Sequence, residues 1–273
     1  MVPSKAAPTH FLCIPLVTAA SRPQLVQSLA TFRADVSSPL SFGVPEEAIR
    51  PVGTLHLTLG VFSFPKNEGL DRAIELLRSL RPREILASIT PPTMLGAKVE
   101  EDKTVVAVTT EVADDDKGKA VEATAPQDGA PLTITLRGLG SMQPPAKAAV
   151  LYSPPVDRLG TLQAFCEKVR AVFREAELMT EENRPLLLHA TIMNTIYVKG
   201  KDKKQQRKAG SGGGKKWERL TVDARGILDR YEDHVWMQDV GLSSIAICKM
   251  GATKTDVDGV EDEAYEVEAE ISF

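Results

Sequence analysis

Two short stretches of the chain combine an imidazole with a hydroxyl at the same spacing. They are His56-Leu57-Thr58 and His189-Ala190-Thr191, and each lies in an apolar run that is typical of a β-strand. In a strand, residues i and i+2 point to the same face, so each histidine is predicted to stand beside its threonine. A strand this apolar has no structural need for an imidazole, so both stretches are candidates for chemistry.

Two imidazoles that face each other across a cleft can act as a base and an acid. Histidine takes and gives protons near neutral pH because its ordinary pKa is about 6.5. A phosphodiester needs one group for the attacking oxygen and another for the leaving oxygen. The pattern therefore predicts His56 and His189 as the catalytic pair, with Thr58 and Thr191 as phosphate-binding hydroxyls. No acidic cluster accompanies either histidine, so neither a metal nor another cofactor is expected.

A single H-x-T triplet is weak evidence, because patterns this short arise by chance. The alternative is that both histidines make only structural hydrogen bonds within their strands. Two of the chain's four histidines carry threonine two residues later, both in apolar runs, which favours a functional pair. The other two, His10 and His234, have no such partner and are predicted to be structural or solvated.

The elements that must position these residues alternate between strands and helices. Strands are predicted over 10–17, 54–64, 131–139, 148–152, 186–198, 240–250 and 263–273, and helices over 22–36, 67–80, 156–178 and 222–231. Each half contains a strand, a long helix and an H-x-T strand, which indicates an internal duplication. This order favours an α+β fold. Gly60, two residues after Thr58, is predicted to let a ligand approach the backbone closely.

The 273 residues are predicted to form a single domain over 1–273, with an ordered core over about 9–82 and 131–273. The segment 83–130 is predicted to be an insertion, since it ends in a run rich in Asp, Lys, Ala, Gly and Pro. The glycine-rich run over 199–216 is predicted to be a flexible basic loop.

The bulk composition narrows the class of protein. A net charge of -4 argues against a general electrostatic nucleic-acid binder. Three widely spaced cysteines indicate neither a disulfide framework nor a zinc site, which favours a reducing compartment. No apolar run approaches a membrane span or a signal peptide, so the expected location is the nucleus or the cytoplasm, without a membrane partner. Outside a complex, a monomer is expected.

The paired H-x-T strands resemble the two-histidine (2H) phosphoesterase superfamily, which includes the 2'-5' RNA ligase-like proteins. The sequences THFL from Thr9, HLTLG from His56 and LHATIMNT from Leu188 are similar to the A-kinase-anchor-protein-type phosphoesterase domain. The last of these runs and VDARGIL from Val222 resemble in particular the branch that includes the first subunit of the activating signal cointegrator complex. That subunit carries a KH-type RNA-binding domain, whereas no KH-like G-x-x-G unit precedes the first strand here.

The resemblance implies a bilobal, pseudo-symmetric α+β fold with two antiparallel sheets flanking a central cleft and helices on the outside. It implies the same roles for the two histidines and the two threonines, with a nucleotide or an RNA end in the cleft. The implied activity is that of a metal-independent phosphodiesterase or a 2'-5' RNA ligase-like enzyme on 2'-5' or 2',3'-cyclic linkages. Proteins of a transcription cointegrator or repair complex are the implied partners. The alternative is a non-catalytic nucleotide-binding or RNA-binding subunit of a complex.

Overall fold

The computed structural model describes residues 7–89, 132–180, 185–198, 219–257 and 259–273. A short helix occupies the start of the segment predicted as an insertion. From residue 90 to residue 130 that segment lies outside the described residues, and so does the predicted basic loop over 199–216.

Helices and antiparallel strands follow one another in mixed order. The α-helices are α1 (Arg22–Ser37), α2 (Leu70–Ser79), α3 (Pro82–Ala87), α4 (Leu162–Glu175) and α5 (Arg225–Arg230). The strands are β1 (His10–Pro15), β2 (His56–Phe62), β3 (Thr133–Arg137), β4 (Gly140–Ser141), β5 (Val150–Ser153), β6 (Pro155–Asp157), β7 (Ala190–Asn194), β8 (Val235–Gly241), β9 (Ser244–Lys249), β10 (Thr253–Val257), β11 (Val260–Ala264) and β12 (Val267–Ser272). The predicted α+β class is confirmed. Among the helices of the described ranges, none combines the length and the apolarity that a membrane crossing requires.

The largest sheet has the strand order β12-β9-β1-β2-β7-β5-β4. All its neighbouring strands are antiparallel. Strands β2 and β7 are in register at one pair, Leu57 opposite Ala190, so this pair joins a half containing β12, β9, β1 and β2 to a half containing β7, β5 and β4. Strand β3 pairs with β6 and β8 in a second sheet, and β10 with β11 in a hairpin. The predicted antiparallel sheets are therefore present.

The same arrangement occurs on both sides of the β2–β7 joint. Helix α1 connects β1 to its antiparallel neighbour β2, and helix α4 lies between β5 and its antiparallel neighbour β7. Both helices bury apolar side chains in the main core: Leu25, Leu29, Phe32 and Val36 from α1, and Leu162, Phe165, Val169 and Phe173 from α4. The duplication read from the sequence is visible as this repeated strand-helix-strand topology.

The two central strands have one buried face and one open face. Leu57 and Leu59 of β2 and Ile192 of β7 are buried in the main core, each at most 1% exposed. The intervening His56 and Thr58 are only half-buried. A slip of one residue would move these leucines to the open face, so burial of the apolar side chains fixes which face carries the histidines.

The prediction for Gly60 is wrong. The β1–β2 ladder has an irregularity that shifts the register, so that Leu12 pairs with Gly60 but Cys13 pairs with Thr58. Such a bulge breaks the alternation of faces, and Gly60 therefore turns toward the core. A Cβ placed on Gly60 would lie 2.7 Å from the sulfur of Met179, so the missing side chain makes room for core packing and not for a ligand.

Candidate active site

The antiparallel joint brings the two H-x-T pairs together at the centre of the sheet. Strands β2 and β7 pair at Leu57 and Ala190. Continued by one residue on each side, this antiparallel register sets His56 across from Thr191 and Thr58 across from His189. Each histidine thus faces the threonine of the other strand, and the two histidines occupy diagonal positions. Diagonal neighbours in a sheet are about 7–8 Å apart, a separation that one phosphate group can bridge. The four predicted site residues therefore form one cluster.

Both imidazoles are oriented by the same kind of hydrogen bond. Nδ1 of His56 lies 2.8 Å from the carbonyl oxygen of Thr54, and Nδ1 of His189 lies 2.8 Å from that of Leu187. A carbonyl oxygen can only accept, so each Nδ1–H donates. Nε2 is then the nitrogen of each ring that can exchange a proton with a substrate.

The carbonyl group of Thr54 is positioned by a tight turn just before β2. Residues Val52–Thr54 form a single 3₁₀ turn, in which the Thr54 hydroxyl donates to the carbonyl of Pro51 over 2.7 Å. A Cβ on Gly53 would lie 2.4 Å from the backbone oxygen of Glu263, so glycine is needed for the hairpin to pack this closely. The turn and the hairpin together fix the acceptor that orients His56.

Aromatic rings flank both histidines. Phe11 and Tyr265 lie against His56, with centroid distances of 4.8 Å and 5.3 Å. Tyr152, which pairs with Thr191 across β5 and β7, meets the ring of His189 edge-on at 5.4 Å. Sequence reasoning missed these aromatic residues, because their positions beside the histidines depend on strand neighbours far away in the chain.

Arg50 is the second feature that sequence reasoning missed. Its backbone N–H donates to the carbonyl of Ile192 over 2.9 Å, at the edge of β7 that faces β2. Its guanidinium lies 3.8 Å from the centroid of the Tyr197 ring, and Nη2 lies 3.5 Å from the hydroxyl of Tyr265. The side chain is only 4% exposed, so a buried cation stands on the His56 side of the site. The sequence places Arg50 in a loop that carries proline and glycine, where periodicity says nothing about contacts.

The electrostatic environment keeps His56 neutral. Burial lowers the pKa of His56 to about 4, and the charges of Arg50 and His189 lower it further, against the opposing effect of the bond to Thr54. Burial raises the pKa of Tyr265 to about 12, with Tyr197 acting in the same direction, so this hydroxyl stays protonated. At neutral pH the site thus contains an unprotonated imidazole beside a protonated phenol.

The remaining histidines lie outside this cluster. His10 is 2% exposed, with Nδ1 2.9 Å from the hydroxyl of Thr9 and Nε2 3.5 Å from a carboxylate oxygen of Glu268. His234 packs edge-on against Trp236 at 4.7 Å. Both make structural contacts, as predicted. Within the described ranges, no group of three or more His, Cys, Asp or Glu side chains is arranged to hold a metal ion.

An antiparallel α+β fold with two facing H-x-T strands defines a two-histidine class of protein. The model of the AKAP7 2'5' RNA ligase-like domain matches residues 8–273, nearly the whole chain. The chain therefore belongs to the AKAP7 2'5' RNA ligase-like family, and the resemblance to the 2H phosphoesterase superfamily is supported. This match does not distinguish the cointegrator-subunit branch from other branches of the superfamily.

Individual relatives are more distant. The uncharacterized protein C15D4.13c of Schizosaccharomyces pombe is 27% identical over 122 residues, which cover 44% of this chain and 50% of that protein. The matched part thus spans half the length of this curated relative. Two crystal structures resemble the chain over 97% of both lengths: a phosphoesterase (TM-score 0.44, 14% identity) and E. coli LigT complexed with 3'-AMP (TM-score 0.45, 13% identity). Similarities this weak transfer no ligand to this chain.

Proposed function

We propose that this protein is a metal-independent phosphodiesterase that acts on RNA ends or nucleotides with 2'-5' or 2',3'-cyclic linkages. The observation that carries the proposal is the antiparallel meeting of the H-x-T pairs, in which each histidine faces the threonine of the other strand. Membership of the AKAP7 2'5' RNA ligase-like family supports the substrate class.

The surroundings of the two histidines favour an assignment of roles. His56, whose pKa is lowered to about 4, is neutral and takes the proton of the attacking water or hydroxyl at Nε2. His189 then acts as the acid and gives a proton from Nε2 to the leaving oxygen. The hydroxyls of Thr58 and Thr191 donate to the non-bridging oxygens, whose charge changes in the transition state. General acid–base catalysis of this kind contributes about 10²–10⁴-fold to the rate.

Turnover of 2',3'-cyclic nucleotides and 2'-5'-linked oligonucleotides in the presence of a chelator tests the proposal. We expect turnover by the wild type, and loss of at least about 10²-fold in the His56→Ala/His189→Ala double variant. His234→Asn serves as a control for the loss of an imidazole outside the site. If the folded wild type and the double variant are equally inert across the panel, the enzymatic function is rejected.

The aromatic rings around the histidines favour a second candidate, a binding module. Tyr152 and Tyr265 flank the open face from opposite sides, and aromatic rings stack on nucleobases. In that case the cleft binds a nucleotide or an RNA end without turning it over. Thr58→Ala or Thr191→Ala should then weaken that binding. Calorimetric titrations without binding of any nucleotide would remove this candidate.

The proposed partners and location rest on the sequence resemblance alone. The run from Leu188 to Thr195 supports partnership with proteins of a cointegrator or repair complex, in the nucleus or the cytoplasm. Affinity purification of the tagged chain, followed by identification of the bound proteins, tests this. Recovery of the chain without such proteins would contradict it.

A further inference from the structure

We propose that Arg50, Tyr197 and Tyr265 form an anion subsite beside His56 that binds a second phosphate of the substrate, next to the one that is cleaved. This inference rests on the proposed function in one respect, namely that the H-x-T cluster holds the scissile phosphate. The subsite itself is argued from the contacts of Arg50.

Among the described residues, the guanidinium of Arg50 has few hydrogen-bond partners. Arginine carries five N–H donors, and here Nη2 makes one long contact of 3.5 Å with Tyr265. In the part of the chain that the structure describes, the other donors have no hydrogen-bond partner, and no carboxylate forms an ion pair with this residue. Burial of a cation without a counter-charge is unfavourable unless another group compensates it. A phosphate supplies that compensation through charge-assisted, often bidentate, hydrogen bonds.

The two tyrosines hold the guanidinium in a geometry that suits an anion. The Tyr197 ring lies against the planar group at 3.8 Å, which leaves the N–H edge available. The hydroxyl of Tyr265 accepts from Nη2 of Arg50 and is itself hydrogen-bonded to Tyr197, so it holds the guanidinium in place. Tyr197 is 40% exposed, so the cluster reaches solvent on that side and an extended ligand can enter.

The position of Arg50 separates the subsite from the centre of the H-x-T cluster. Its backbone pairs with Ile192, two residues along β7 from the Ala190 joint. Two residues of a strand span about 6–7 Å, so the backbone of Arg50 lies beyond that of His56, on the side away from His189. The lowered pKa of His56 includes a contribution from Arg50, which shows that the cation is electrostatically close to the catalytic ring. The arrangement fits a nucleotide that carries two phosphate groups.

Calorimetric affinities for adenosine 3',5'-bisphosphate and for 3'-AMP, at one ionic strength, test the subsite. We expect the wild type to prefer the bisphosphate by about 10- to 100-fold, the contribution of hydrogen bonds to a charged group. Arg50→Gln should bring the preference close to one, and Arg50→Lys should keep part of it. Arg137→Gln removes an exposed arginine from the small sheet and should leave the preference unchanged.

The outcomes distinguish this proposal from the proposed function. A wild type without the preference, or Arg50→Gln with an undiminished preference, overturns the subsite, and neither result depends on turnover. If the wild type does not cleave the 2',3'-cyclic nucleotides or the 2'-5'-linked oligonucleotides, the proposed function is rejected. The ratio of the two affinities can still be measured in that case. If Arg50→Gln does not fold, the Arg50→Lys and Tyr265→Phe variants test the subsite instead. An unchanged preference for the bisphosphate in both variants overturns the proposal.

Discussion

At the scale of single residues, the two histidines share one bond and differ in nearly everything else. Each donates Nδ1–H to the carbonyl two residues earlier. His56, however, is enclosed by Phe11, Tyr265 and the buried cation of Arg50. His189 meets Tyr152 at the opposite side of the cluster. A symmetric motif thus occupies an asymmetric environment, and the proposed assignment of base and acid rests on this asymmetry.

The pH dependence of the rate checks that distinction. In the free enzyme, kcat/KM should fall on the acid side with a midpoint near 4, because the pKa of His56 is lowered to about that value. The Arg50→Gln variant should move this midpoint upward, since removal of a nearby cation raises the pKa of an imidazole. Rates on a 2',3'-cyclic nucleotide between pH 3.5 and 8 measure it. A wild-type midpoint near the ordinary value of a histidine would show that His56 is not the base.

The threonines are predicted to act through their hydroxyls alone. Thr58→Val and Thr191→Val keep the branched shape that suits a strand and remove one donor each. We expect kcat to fall by about 10²-fold or more in each variant, with little change in thermal stability, by analogy with loss of one donor to a developing charge. Thr255→Val on β10 is the matched control outside the site. If the valine variants lose enough thermal stability to explain the lower rate, the threonines instead have a packing role.

At the scale of elements, the hairpin of β10 and β11 supports the turn that orients His56. The carboxylate of Asp262 on β11 is 8% exposed, accepts from the backbone N–H of Gly53 at 3.1 Å and pairs with Arg22 at 2.7 Å. These bonds anchor the hairpin to the Val52–Thr54 turn. A contact remote from the chemistry thereby determines where the carbonyl acceptor of His56 lies.

Removal of this anchor should destabilise the protein. Asp262→Ala leaves the partly buried N–H of Gly53 and the cation of Arg22 without their acceptor, so the free energy of unfolding should fall by about 1–3 kcal/mol. Asp233→Ala is the matched control, because its carboxylate is 81% exposed and its ion pair with Arg137 should contribute less than about 1 kcal/mol. Urea denaturation of both variants measures the difference. Equal losses would mean that the hairpin does not depend on Asp262.

The elements differ in how far the sequence predicts them. Alternation of apolar and polar residues predicted the H-x-T strand over 54–64, and β2 occupies His56–Phe62. The β10–β11 hairpin was missed, apart from the end of β11 inside the strand predicted over 263–273. Most of its side chains are polar or charged, so no apolar period marks it. The helix predicted from 156 begins at Leu162, because Pro155–Asp157 pairs with β3 and Asp157 accepts from the backbone N–H of Leu162. Pairing and capping partners distant in sequence decide these cases.

For the candidate site, the repeated spacing predicted four residues that the structure places close together, and their function stays a prediction. Arg50 belongs to no sequence pattern and is recognised only by its burial and its neighbours. The thiols of Cys13 and Cys248 show the same limit, since they lie 3.8 Å apart across β1 and β9 although 235 residues separate them. Contacts across a sheet follow strand order, and spacing in the sequence does not encode strand order.

At the scale of the whole molecule, the site and the stability of the fold are coupled through protons. His56 belongs to the strand that joins the two halves of the sheet, and its neutral form is the one that the folded state favours. The unfolded chain binds a proton there below the ordinary pKa of 6.5, whereas the folded protein does so only below about 4. Between these values the unfolded state holds more protons, so stability rises with pH in that window and is lost as the pH falls through it.

The His56→Asn variant isolates this contribution. Asparagine can still donate to the carbonyl of Thr54 but does not titrate, so the variant should lose part of the gain in stability between pH 4 and pH 6.5. A shift of this size corresponds to about 1–3 kcal/mol for a half-buried group. Urea denaturation of wild type and variant at pH 4.5 and pH 7.5 measures it, because His234 and the carboxylates titrate alike in both proteins and cancel in the difference. If the free energy of unfolding depends on pH in the same way in both proteins, the folded-state pKa of His56 lies near its unfolded value. The charge of Arg50 would then not lower the pKa of His56.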